Sequence, residues 1–157
     1  MRTFARYLLQ MTKQQSPHYW KTLPDRDEAL EVIYGFIRAF HDKRPDVAEA
    51  LVMVKDMEYF QKVLDESLKA YLAMVIEDLD WDEYIGKNLA YEVEDPSALD
   101  EDLMLPEFSG KHFVLDKNEI ISVQIGMREQ VTPIRLHFAL LESDELYYIK
   151  LQRITSK

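Results

Sequence analysis

The residues whose types could do chemistry are a run of alternating acids, four histidines and a polar C-terminal stretch. The run Asp78-Leu79-Asp80-Trp81-Asp82-Glu83-Tyr84-Ile85 alternates carboxylates and puts an apolar residue in eighth place, like the opening of a helix-loop-helix calcium loop. It departs where such a loop is strictest. Glu83 stands where glycine permits the sharp turn, and Leu89 where a bidentate glutamate completes the shell. A hard cation needs about six to eight oxygens, which this register does not supply, so no metal is expected.

His18, His41, His112 and His137 show no His-Glu-x-x-His or His-x-His spacing. His41 falls at the end of a predicted helix, where a cation interacts well with the helix dipole, and is expected as a capping or surface residue. His137 stands apart. On a predicted hairpin it shares one face with Arg135, Tyr148, Lys150 and Gln152 and lies opposite Lys150, with Ser122 and Gln124 able to join from the preceding strand. Such a face could bind an anionic ligand, with His137 as general acid or base and Lys150 or Arg135 holding charge. As an enzyme site it would be a concave pocket with a strongly perturbed His137 pKa. The simpler expectation is a solvated sheet face.

Other chemistries lack their parts. The chain has no cysteine, which removes thiolate catalysis, disulfides and cysteine-based zinc or iron-sulfur sites. Gly35, Gly86, Gly110 and Gly126 are isolated, so no nucleophile elbow, dinucleotide fingerprint or P-loop is present and no cofactor is expected.

Charge is the most distinctive property. The 157 residues carry a formal net charge of -10. Arg2, Arg6, Lys13 and Lys21 precede the first acid, whereas twelve acids face Lys87 alone between Glu77 and Glu107. A surface built from Asp78, Asp80, Asp82, Glu83, Glu92, Glu94, Asp95, Asp100, Glu101 and Asp102 would steer a basic protein partner. That points to a non-catalytic protein-interaction module, such as an inhibitor, immunity-type protein or adaptor; the bland alternative is a solvated connector that maintains solubility. Nucleic-acid binding is disfavoured, because it rests on neutralising phosphates with Lys and Arg. The longest unbroken apolar run, residues 70–76, is far short of the roughly 20 residues of a membrane span. With no signal peptide evident at the N-terminus and no cysteine, a cytoplasmic location is expected.

The elements that must position these residues change character along the chain. About four helices are expected in residues 1–80: one around Phe4, Leu8 and Met11, ending before Ser16-Pro17; one opened by Asp25 with Glu28 and carrying Leu30, Ile33, Ile37 and Phe40; one capped by Asp46 with Val47, Leu51 and Val54 inward; and one from Met57 to about Leu79. The last two could be one bent helix. A long acidic connector, 81–110, follows. From residue 111 the period becomes two, predicting an antiparallel meander with strands at 112–116, 119–126, 131–142 and 145–154. In the last hairpin a Ser143-Asp144 turn sets Glu142 opposite Glu145, so that Leu136, Phe138, Leu140, Tyr147, Ile149 and Leu151 share the core face. The sum is an α+β fold, expected as a single domain over 1–157.

If the acidic segment is the partner surface, converting Asp78, Asp80, Asp82 and Glu83 to their amides weakens salt-dependent capture of a basic partner and leaves the circular dichroism spectrum intact. Equal capture by both proteins would reduce the segment to a solubility feature.

Overall fold

Asp25 and Glu28 cap helix α1 (Arg26–His41) reciprocally: Asp25 Oδ1 accepts the Glu28 N–H at 2.8 Å, and Glu28 Oε1 accepts the Asp25 N–H at 3.2 Å. The computed structural model describes residues 18–77, 99–127 and 130–156, so the predicted helix around Phe4 to Met11 lies outside the described residues. In α1 the residues Ala29, Val32, Ile33, Phe36, Ile37 and Phe40 are buried at helical spacing, with Leu30 half-buried at the margin.

Helix α2 (Pro45–Glu49) is shorter than expected, and Arg44 rather than Asp46 is its N-cap. Proline takes the first helical position because its fixed φ and missing N–H suit that place. Val54, expected on the inner face of this helix, belongs instead to a short strand, β1 (Met53–Val54), which separates α2 from the next helix. Helix α3 (Met57–Glu77) starts where Asp56 Oδ1 accepts the Tyr59 N–H at 3.0 Å, and it buries Phe60, Leu64, Leu68 and Leu72 at every fourth position.

Among the described residues, strands β2 (Leu105–Phe108), β3 (Ile120–Met127), β4 (Gln130–Ser143) and β5 (Leu146–Thr155) complete a five-stranded sheet in the order β1-β5-β4-β3-β2. The fold is α+β as expected, but the sheet is mixed rather than a pure antiparallel meander, because β1 pairs parallel to β5 through Met53 with Lys150 and Val54 with Leu151. Its fourth antiparallel strand also comes from elsewhere. Residues 112–116 make one isolated bridge, Val114 with Asp25, and the strand beside β3 is Leu105–Phe108, inside the segment expected to be connector.

Side chains explain that difference by capturing the backbone groups a strand would need. The buried carboxylate of Glu119 accepts the Gly110 N–H at 3.0 Å and the Asp116 N–H at 2.9 Å. Arg26 donates to the carbonyls of Gly110 and His112, both at 3.0 Å, and its guanidinium lies 4.6 Å from the centre of the Phe108 ring. Residues 109–119 are thereby folded into a loop against the start of α1.

The β4–β5 turn is Asp144-Glu145, one residue beyond the expected Ser143-Asp144. Both turn residues have positive φ, 53° and 65°, the combination that matches the twist of a two-residue hairpin. Ser143 therefore pairs with Leu146 and Glu142 with Tyr147, which removes the opposition of Glu142 and Glu145 and leaves Glu142 to pair with Lys117 at 2.8 Å. A shift of two keeps every side chain on its expected face. Leu136, Phe138, Leu140, Ile149 and Leu151 are all buried against the helices.

Phe36 makes one of the contacts between the layers. Its ring meets Phe138 of β4 edge-on, with centres 5.7 Å apart, and lies 5.3 Å from Phe40. Phe36→Ala is expected to lower stability by about 3–5 kcal/mol in denaturant unfolding. A loss below about 1 kcal/mol would show that this contact is not central to the core.

Candidate functional site: the outer face of the sheet

Strand side chains alternate, so the residues between the core positions of β4 point to the sheet's other face. One cross-strand row there is Glu107 of β2, Ser122 of β3, His137 of β4 and Arg153 of β5; the next holds Gln124, Arg135 and Thr155. The row exists because β5 carries a bulge. Phe138 pairs with Leu151 and His137 with Arg153, leaving Gln152 as the extra residue. Lys150, expected opposite His137, stands opposite Ala139 instead.

The His137 ring is held from both sides. Nδ1 lies 2.7 Å from Ser122 Oγ and Nε2 2.8 Å from Thr155 Oγ1. In the neutral ring one nitrogen donates and the other accepts, and each hydroxyl can take the complementary part. Partial burial, followed by the positive charges of Arg153 and Arg135, holds the His137 pKa below its ordinary 6.5. Gln124 links the second row: its amide donates to the Thr132 carbonyl at 2.7 Å, and its Oε1 lies 3.5 Å from an Arg135 nitrogen.

Tyr148 and Lys150 are on the same face but in other rows. Tyr148 pairs with Leu141, four residues along β4 from His137, which separates the rows by roughly 13 Å at strand rise. Its ring meets Tyr19 edge-on at 5.7 Å. Of the four predicted ligand residues, Arg135 and His137 share one compact site, while Tyr148 and Lys150 flank it along the sheet. Sequence reasoning named Ser122 and Gln124 as possible neighbours and missed Arg153, Thr155 and Glu107. Arg153 could not be found without the bulge, and Thr155 lay one residue past the predicted strand end.

The constellation is a poor nucleophilic centre. A serine hydroxyl is activated by a histidine that a carboxylate orients and whose imidazolium that carboxylate stabilises. Here a threonine hydroxyl occupies the orienting position, and two guanidiniums oppose charge on the ring. Cavities of about 360 and 720 Å³ lie along α3, and neither is lined by His137. What the arrangement offers is charge: Arg135 and Arg153 beside hydroxyl and amide donors, with Glu107 at the edge.

The acidic candidates fare differently. Asp78, Asp80, Asp82, Glu83, Glu92, Glu94 and Asp95 lie outside the described residues. Asp100 caps the short 3-10 turn Glu101–Leu103 by accepting the Asp102 N–H at 3.2 Å, and Glu101 pairs with Arg38 at 2.7 Å. Asp102 is exposed. Among the described residues no group of three or more His, Asp or Glu side chains could hold a metal ion, and no described helix is long and apolar enough to cross a membrane. His41, in the last turn of α1, has Nδ1 2.7 Å from Asp42 Oδ1.

Comparison with known protein families, curated proteins and solved structures finds no match.

The lowered His137 pKa has a consequence for stability. Because the unfolded chain binds this proton more readily than the folded one, the contribution is full above the unfolded value near 6.5 and is lost as pH falls through it toward the lower folded value. The drop in denaturation midpoint between about pH 7.8 and 5.8 should be smaller in His137→Gln than in the natural chain. An equal drop in both would remove His137 as a source of that dependence.

Proposed function

We propose that this protein is a non-catalytic binding protein whose outer sheet face recognises a small anionic ligand bearing a carboxylate, sulfate or phosphate group. The observation that carries the reading is the placing of Arg135 and Arg153 on either side of the Ser122–His137–Thr155 chain, on one face of the hydrogen-bonded sheet. Guanidinium forks match oxyanions in shape as well as charge. Lys150, further along the face, adds positive potential without touching the same ligand atoms.

A second reading keeps the acidic segment 77–107 as a surface for a basic protein partner. The concentration of twelve acids against one lysine favours it. Asp100 and Glu101 serve it less well than expected, because their carboxylates already cap a turn and pair with Arg38.

Titration of the labelled protein with sulfate near pH 7 should move the backbone amide signals of residues 122–124, 135–137 and 153–155. The double variant Arg135→Gln, Arg153→Gln should bind at least about tenfold more weakly, the loss of one or more charge-assisted bonds. Signals on this face that stay still at tens of millimolar sulfate, or equal binding by the double variant, would refute the anion site.

A further inference from the structure

We infer that this site, on the anion-binding reading above, takes up its anion together with one proton from solvent, and that His137 is the group that holds the proton. The geometry of the two hydroxyls points to it. While the ring is neutral, one of its nitrogens accepts a hydrogen bond, so one of the two hydroxyls, Ser122 or Thr155, must aim its only proton inward at the ring. Protonation turns both nitrogens into donors. Each hydroxyl then accepts from the ring, and the proton that pointed inward is free to turn to a ligand. One proton from water thus adds a positive charge and a hydrogen-bond donor at the same place.

The groups facing the ring set the sign of the coupling. Among the described residues, the two cross-strand rows around it hold Glu107 two strands away on β2, Ser122 and Gln124 from β3, Arg135 from β4, and Arg153 and Thr155 from β5. In the empty site an imidazolium would be a third cation beside two guanidiniums, and the proton is held off. An anion seated between the guanidiniums reverses that balance and favours the imidazolium. Coupling of this kind is reciprocal: whatever the anion adds to proton affinity, the proton adds to anion affinity. Binding therefore tightens as pH falls, and the site discharges its ligand as pH rises.

Sulfate is the suitable probe, because it does not itself titrate near neutrality. The C–H signals of the four histidines are followed between about pH 8.0 and 5.8, in chloride and in saturating sulfate at matched ionic strength, with sulfate affinity measured at both ends. The expected result is a rise of about one unit in the His137 pKa with sulfate, and sulfate binding about fivefold tighter at the acid end, short of the roughly tenfold that complete titration at both ends would give. His137→Gln should bind sulfate with one affinity at both pH values. Sulfate bound by the natural chain with equal affinity at both ends, and an unmoved His137 signal, would overturn the proton coupling and leave the anion site standing. No sulfate binding at either pH would overturn the anion site, and this inference with it. The natural chain alone decides between these outcomes.

Discussion

The packing of α1 and α3 onto the even-numbered residues of β4 is the constraint on which the other features depend. Ile134, Leu136, Phe138 and Leu140 are buried there, with Phe138 set edge-on to Phe36 of α1. Because strand side chains alternate, burying one set commits the other to the opposite face. Arg135 and His137 are on the outer face for that reason. The polar face is thus a consequence of the core, and any slip of β4 by one residue would bury an arginine and a histidine among aliphatic side chains at heavy desolvation cost.

Local irregularities then refine what alternation allows. The bulge at Gln152 brings Arg153 level with His137, and the Asp144-Glu145 turn sets the register that places the bulge. Gly126 serves a different need. A Cβ there would run into Leu103 Cβ, so glycine is what lets the 3-10 turn sit against the end of β3, where the Asp100 N–H donates to the Gly126 carbonyl at 2.8 Å. That turn carries Asp100 and Glu101, and their carboxylates are occupied by holding it in place and by Arg38. A surface ion pair such as Arg38–Glu101 contributes at most about 1 kcal/mol. Its presence still means that acids counted as free surface charge in the sequence are not all equivalent.

The same distinction applies to the histidines. A group's proton affinity shifts when its surroundings favour one protonation state over the other, and the His137 ring is partly buried beside two arginines and two hydroxyls.

Much of the fold was legible in the chain. The capping pair Asp25 and Glu28, the apolar stripes of α1 and α3, the change of period after residue 111 and the two faces of the last hairpin all follow from local spacing, which reports which side of an element is apolar. Even an error of two in hairpin register left those faces intact, since the side-chain period is two. Tertiary structure decided what spacing does not encode. Residues 112–116 alternate like a strand, yet Arg26 and Glu119, distant or nearby in sequence, hold the backbone groups of the 109–119 loop. Leu105–Phe108 look like connector, yet they gain a partner in β3, and Met53–Val54 become a strand only because β5 offers an open edge. The candidate site followed the same division: Arg135 and His137 could be placed on one face from sequence, whereas Arg153 arrived beside them through a bulge. A bulge is a balance of pairing, twist and packing across strands, and no pattern confined to one segment carries that information.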